Sequence, residues 1–344
     1  MPRHILDRLK LISAYSTGQE RNVMGPSALM VETTVRCNLL CPMCPRTGAD
    51  YPNEDMPDSM IYPLLKEHAE MGGDHVYLYG LGEPLMDKRI FDLLAYCKSL
   101  GVGTVLSSNG SFLNAERRKK LLMSGCDHLL LGLDGATEST YSHYRVGGKY
   151  QTVVRNIRAL AEENARLGNP IYVVVQFIRM KENWHEQDKF LEQWSGVAGV
   201  SEVRIKDEDI GLDEHRTYEK DGHLRENPCH TLWRGPMVVR WNGDVFPCYH
   251  IASGGQPLGN LAESSLSELW NSLRMQTMRA LHSEHRSGEH EHCKTCPAAR
   301  PRLPLLLRAM ALQGTTVQRL MPIIEKLAHR YPALLNEKRQ KKKI

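Results

Sequence analysis

The sequence predicts an α/β fold: a partial (β/α)6 barrel, TIM-like but short of eight strands, followed by a small C-terminal β-hairpin and helix domain. Three observations carry this expectation. Apolar runs of strand length stand at residues 29–34, 75–79, 104–107, 128–133, 172–178 and 202–206. Helical patterns separate them at 61–71, 90–100, 116–124, 151–167 and 187–195, and six such units in series imply a parallel sheet with right-handed crossovers. Further on, Asn242-Gly243 lies between the alternating apolar residues of Val238–Phe246, the strongest short hairpin signal.

Each element has a local reason. In 151–167, Val153, Val154, Ile157, Leu160, Ala161 and Ala165 keep near-helical spacing, so one face packs on the sheet. Ser265–Leu273 reads as the helix of the second domain, after a turn at Leu258–Leu261. A chain of 344 residues with 41% hydrophobic content buries a sizeable core and is long for one domain. The expected division is a helical lead-in at 1–27, the barrel at 28–225, the smaller domain at 226–300 and a basic tail at 301–344.

Charge narrows the function classes. The net +4 is small and evenly spread, which argues against nucleic acid. The exception is residues 301–344, where ten basic residues stand against Glu325 and Glu337, a net +8 that leaves −4 for residues 1–300. Val317, Leu320, Ile324 and Leu327 fall on one helical face there, so a docked helix with a solvated basic end is expected, with membrane-surface binding as the alternative. Met1–Lys10 has no apolar core of a secretory leader, and no run reaches the roughly 18 apolar residues of a membrane span. The expected location is cytoplasmic, where nine cysteines at motif spacings are metal ligands rather than disulfides.

Cys37, Cys41 and Cys44 form a C-x-x-x-C-x-x-C run directly after the first strand. Three thiolates this close can hold three corners of an iron–sulfur cube and leave the fourth iron open to another ligand. A zinc knuckle is the alternative, but no fourth Cys or His lies within the loop. Cys229, Gly243 and Cys248 give C-x13-G-x4-C, followed after 44 residues by Cys293-x-x-Cys296. Four thiolates would saturate a second cluster, with a zinc ribbon as the alternative. His282, His285, His290 and His292 crowd this stretch and make zinc tempting, although a polar Glu/His segment reads as an exposed loop.

The first run resembles the signature of the radical S-adenosylmethionine (SAM) enzymes, and the second resembles their SPASM/twitch extension, over about residues 28–300. Because no cysteine follows Cys296, the shorter form with one auxiliary cluster is the better match. The resemblance implies two 4Fe-4S clusters, one binding SAM, and a reduced flavodoxin or ferredoxin as electron donor. It also implies SAM contacts. Gly80-Leu-Gly-Glu-Pro84 is similar to the motif that meets the SAM amino group, placing Gly82 and Glu83 there. Asn109, in Ser107–Gly110, would reach the ribose, and Arg145 the SAM carboxylate, as its planar fork suits. Met43 would cover the adenine. Gly132 stands where the family has a ribose-binding Ser.

The resemblance further implies that an electron from the first cluster cleaves SAM to a 5′-deoxyadenosyl radical, which takes hydrogen from an unactivated carbon. Cys97 and Cys126 read as core thiols far from such a site, so neither is placed to return a hydrogen atom. Oxidation by a dehydrogenase, with the auxiliary cluster as electron acceptor, is therefore expected over epimerisation. Gln176, Lys206 and Arg240 are candidate catalytic groups by position. The stretch before the first strand is short for a leader-binding domain, which favours a small-molecule substrate of sugar or aminocyclitol type over a peptide. Peptide maturation remains the alternative, and a metal-binding adaptor the non-enzymatic one.

Overall fold

The computed structural model describes residues 2–207, 228–294 and 296. In chain order its elements are α1 (Pro2–Ser16), β1 (Ala28–Val31), α2 (Asp58–Glu70), β2 (His75–Tyr77), α3 (Ile90–Ser99), β3 (Gly103–Ser108), α4 (Ala115–Met123), β4 (His128–Gly132), α5 (Glu138–Tyr144), α6 (Tyr150–Arg166), β5 (Tyr172–Arg179), α7 (Gln187–Trp194) and β6 (Glu202–Asp207). Then come α8 (Thr231–Arg234), β7 (Met237–Val239), β8 (Asp244–Phe246), α9 (Tyr249–Ala252), β9 (Gly259–Asn260), α10 (Leu266–Trp270), α11 (Leu273–Ser283) and α12 (Glu291–Lys294). Two compact units result. One gathers the described residues of Met1–Val31, Pro57–Val76 and Glu219–Lys341, the other those of Glu32–Met56 and Tyr77–Tyr218.

In the second of these, β3 to β6 pair in parallel and in chain order, with Ser107 opposite Leu130, Leu130 opposite Val174 and Val174 opposite Glu202. Both faces are apolar, as parallel strands require. Leu106, Leu129, Leu131, Val173, Val175 and Phe177 are buried on one face. On the other, Val105, Leu130 and Val174 pack with Tyr77, Tyr79 and Tyr172. Among the described strands β6 pairs only with β5, in keeping with an incomplete barrel. The α/β class and its parallel sheet are as the sequence predicts.

Helix α6 buries Val153, Ile157, Leu160 and Ala161, the stripe read from the sequence. A Cβ at Gly199, whose φ is +84°, would lie 1.8 Å from the Ala161 carbonyl oxygen, so the segment before β6 runs against this helix with no room for a side chain. Asn164, fully buried, donates from Nδ2 to the carbonyls of Ile171 and Gly199. One side-chain amide thereby satisfies backbone that has no ladder partner.

The other unit holds β1 in parallel with β7, with Leu29 opposite Met237, and then antiparallel β7, β8 and β9. The expected hairpin is present, but its turn differs from a two-residue Asn-Gly loop. Gly243 N–H donates to the Arg240 carbonyl and Arg240 N–H to that of Asp244, both at 2.9 Å. Only Gly243 is left-handed, at φ +87°, which is the longer loop built on a type I turn with glycine at its end.

The helix expected at Ser265–Leu273 is instead two. Ser265 and Glu268 form a reciprocal capping box that starts α10, which stops at Asn271. That residue's side chain is committed to the chain at Asn22, accepting from its N–H at 2.9 Å and donating to its carbonyl at 2.9 Å. Ser272 then caps α11. Residues 301–344, with the expected basic helix, lie outside the described residues. Among those described, no helix is long and apolar enough to cross a membrane.

His68, fully buried on α2, lies with Nε2 3.2 Å from the His75 carbonyl. Burial pushes its pKa down to about 4. Below about pH 6.5 the unfolded chain binds a proton that the fold refuses, so stability falls as pH drops from 6.5 towards 4. The slope reaches about 1.4 kcal/mol per pH unit. Urea unfolding at pH 7 and pH 5 should show a smaller loss of stability in His68→Gln than in the parent chain.

Candidate active site

The loop from Glu32 to Met56 is closed before it carries any chemistry. Met56 N–H donates to the Thr33 carbonyl and Val35 N–H to that of Glu54. Arg36 binds both carboxylate oxygens of Asp55 at 3.0 and 2.6 Å and also donates to the Met86 carbonyl. Within this frame Cys44 N–H donates to the Cys41 carbonyl at 3.0 Å, which also accepts from the Thr47 hydroxyl at 2.7 Å. The turn thus brings Cys41 within electrostatic reach of both Cys37 and Cys44, though among the described residues the three side chains are not drawn into a closed metal-ligand geometry. Burial pushes the Cys37 thiol up to about 11 and raises that of Cys41, whose shift Arg145 opposes.

Gly82 and Glu83 sit on this loop. A Cβ at Gly82 would lie 2.0 Å from the Thr34 carbonyl oxygen, so only glycine permits the approach. Glu83 N–H donates to the Arg36 carbonyl at 2.8 Å. The Glu83 carboxylate, 3% exposed, accepts from the Ser108 hydroxyl at 2.8 Å and from the N–H groups of Asn109 and Leu85 at 2.8 and 3.1 Å. Burial raises its pKa while these bonds and Arg145 pull it down. Of about four lone-pair positions on a carboxylate, three are used, which leaves one for an ammonium group. Asn109 donates from Nδ2 to Asn38 Oδ1 and accepts from Ser111 N–H, both at 2.9 Å, tying the β3 turn to the cysteine loop. Glu32, overlooked in the sequence, is also buried and accepts from Leu81 N–H at 2.8 Å.

Arg145 is held from the opposite side. Its Nη2 lies 2.5 Å from Asp134 Oδ2 and its Nη1 4.0 Å from Cys41 Sγ. Burial works against its charge, but Asp134, then Cys41 and Tyr141, outweigh it and raise the guanidinium above its usual value. Asp134, left-handed at φ +55°, fixes itself by accepting from Ile178 N–H at 2.8 Å. This arrangement explains Gly132: a Cβ there would lie 2.4 Å from Arg145 Nη2. The guanidinium occupies the space that a serine side chain would need. Next to it, Arg145 Nε and the Tyr141 hydroxyl are buried without hydrogen-bond partners among the described residues. Both groups lie within electrostatic reach of Cys41. Three thiols flanked by buried, unspent donors fit a cluster carrying a polar, partly anionic ligand.

The remaining sequence candidates are dispersed. Gln176 is half-buried on β5, opposite Gly132 and Arg204. Lys206 is exposed on β6 opposite Ile178. Met43 is half-buried in the cysteine loop. Arg240 belongs to the other unit, where its Nη2 donates to the Ala252 carbonyl at 2.6 Å. Beside Gln176 the structure places Arg204, bound to Glu202 at 2.6 and 2.9 Å, a pair that no sequence pattern had marked.

The other unit gathers the second thiol set. Cys248 opens α9 and Cys293 lies on α12, with Cys296 N–H donating to the Cys293 carbonyl at 3.4 Å. Burial pushes the Cys248 thiol well up, and Cys229, Cys296 and Cys293 all add to the shift, so the four are neighbours. Their side chains are not drawn into a closed metal-ligand geometry among the described residues. The donor set itself, four thiols without a carboxylate, suits iron–sulfur or zinc. The histidines are not one exposed loop: His282 is 2% exposed on α11, while His290 and His292 are partly exposed.

Comparison with known proteins agrees with this arrangement. Residues 31–190 match the radical SAM superfamily and residues 222–297 the SPASM iron–sulfur cluster-binding domain. The PqqA peptide cyclase of Methylocella silvestris is 32% identical over 122 residues, covering 35% of this chain and 32% of its own length. The mycofactocin maturase MftC of Mycolicibacterium smegmatis is 26% identical over 253 residues, 72% of this chain and 61% of its own. The match therefore spans about a third of the cyclase and under two thirds of the maturase. Streptococcus suis SuiB, solved with the precursor peptide SuiA, has the same fold, with a TM-score of 0.61 and 13% identity over 89% of this chain and 77% of that one. With a three-thiol loop in one domain and a four-thiol set in the other, the chain belongs to the radical SAM superfamily and carries a SPASM-type iron–sulfur domain.

Proposed function

We propose that the chain is a radical SAM peptide maturase that oxidises a precursor peptide. The observation that supports the substrate class is the match to a peptide cyclase, joined by that to a mycofactocin maturase along 72% of this chain and by the fold shared with SuiB, solved with a precursor peptide. These relatives favour the peptide alternative over the small sugar-like substrate expected from the short stretch before β1. The cofactors are SAM and two 4Fe-4S clusters. When bound, they supply one-electron cleavage of SAM and a carbon radical able to take hydrogen from an unactivated carbon. A reduced flavodoxin or ferredoxin as donor and a cytoplasmic location complete the reading.

The chain's own residues do the rest. Cys37, Cys41 and Cys44 hold the first cluster, and Cys229, Cys248, Cys293 and Cys296 the auxiliary one. Glu83 offers its remaining lone pair to the SAM ammonium, and Arg145, aimed by Asp134, takes the carboxylate. Asn109 keeps the ribose side of the site in register with the cysteine loop, and Met43 covers the base. Gln176 and Lys206, with Arg240, remain candidates for positioning the substrate or accepting its proton. Oxidation is favoured over epimerisation because Cys97 and Cys126 are 1% and 3% exposed, with burial pushing each thiol up to about 12. Neither is available to return a hydrogen atom.

Three outcomes test this reading. Anaerobically reconstituted protein should hold about eight irons, and replacing Cys37, Cys41 and Cys44 with Ala should remove about half; stoichiometric zinc in their place would refute the cluster assignment. Arg145→Ala should weaken SAM binding by roughly ten-fold to a hundred-fold at unchanged iron content, the worth of about 1.5–3 kcal/mol for a charge-assisted contact. Mass spectrometry of anaerobic reactions with candidate precursor peptides, and in parallel with sugars and aminocyclitols, should show a two-dalton loss on a peptide coupled to 5′-deoxyadenosine. The same loss on a small molecule, with every peptide unchanged, would return the substrate to the sugar class.

A further inference from the structure

The second thiol set has a neighbour that the cluster assignment leaves unused. His282 is 2% exposed, and its two ring nitrogens face two different ligand segments. The backbone N–H of Cys229 points at Nδ1 at 3.1 Å, and Nε2 lies 3.4 Å from Cys293 Sγ. An amide N–H can only donate, so Nδ1 must be a lone pair, and the neutral ring then carries its hydrogen on Nε2. That hydrogen faces the Cys293 sulfur. One imidazole therefore joins cysteines that lie 64 positions apart in the chain.

The ring is fixed by the helix that carries it. Arg279, one turn earlier on α11, is fully buried and donates to the carbonyls of Leu232, Glu20 and Trp270. Its guanidinium also stacks on the Trp270 ring at 4.4 Å. Ser283, the next residue after His282, donates to the Gly18 carbonyl at 3.4 Å. With both flanks of the helix anchored, His282 has little freedom to turn from Cys293.

We propose that His282 is a positioning residue of the auxiliary cluster: it bridges the Cys229 and Cys293 segments and donates an N–H to the Cys293 sulfur, raising the cluster's reduction potential. This rests on the four-cysteine reading of that cluster. A donor to a ligating sulfur draws off negative charge and so favours the reduced, more negative state. An acceptor of substrate electrons benefits from such a shift.

Asparagine and glutamine divide the two contacts. His282→Asn can place an oxygen where Nδ1 accepts but has no donor at the Nε2 position, whereas His282→Gln can place its amide N–H there. Full-length protein with Cys37, Cys41 and Cys44 replaced by Ala isolates the auxiliary cluster for iron analysis and an EPR-monitored redox titration. His282→Asn should keep its iron and make one-electron reduction about ten-fold less favourable, a midpoint lower by about 59 mV, while His282→Gln stays near the parent value. Equal midpoints in all three, or a His282→Gln shift as large as that of His282→Asn, would overturn the proposal. If His282→Asn fails to hold iron, His282→Gln decides alone: parent iron and midpoint support the N–H donation to Cys293, and loss of either overturns it. Unchanged iron in Cys293→Ala would instead overturn the four-cysteine reading itself, and the proposal with it.

Discussion

A single buried carboxylate, Glu83, holds the first cysteine loop and the turn after β3 in register. Glu83 reaches the β3 turn through Ser108 and Asn109, and its own backbone N–H is bound to the Arg36 carbonyl on the cysteine loop. It can do so only because Gly82 lets two stretches of backbone touch. Three donors on one desolvated acid are a strong constraint, since each hydrogen bond to a charged group contributes about 1.5–3 kcal/mol and an unpaired buried charge costs more. The cysteine loop has little secondary structure of its own. Its shape is borrowed from the turns after β2 and β3.

The thiols themselves argue for a cationic occupant. Burial disfavours the thiolate at Cys37, Cys41 and Cys248, yet only the thiolate is a ligand. A metal cluster resolves the conflict by replacing the proton, so loading and deprotonation are one event. Arg145 contributes to the same balance, lowering the cost of charge on Cys41 while remaining bound to Asp134.

Much of this was legible because the signals are local. Six strands and all the intervening helices but the short α5 follow from apolar runs and helical spacing, with ends displaced by only a few residues, and both thiol sets follow from cysteine spacing. What was not legible depends on partners distant in the chain. Glu32 acts on Leu81, Asp134 on Arg145 and Ile178, and His282 on Cys229 and Cys293, while none of these stands in a pattern that separates it from an ordinary polar residue. His282 shows the difficulty most clearly, since its segment is rich in Glu and His and reads as solvated. Gly132 looked like a lost ribose contact. In three dimensions it is the space that Arg145 fills.

The pairing of β1 with β7 has a consequence for how this chain comes into being. Leu29 is made early, but its partner Met237 follows 208 residues later, which at 5–20 residues per second is roughly 10–40 s of synthesis. Throughout that interval one edge of β1 has no ladder partner, and an unpaired apolar edge invites pairing with the wrong strand. Cys37 follows the end of β1 by only six residues. A ribosome stalled before residue 237 would therefore expose the first cysteine run only a few residues along the chain from an open strand.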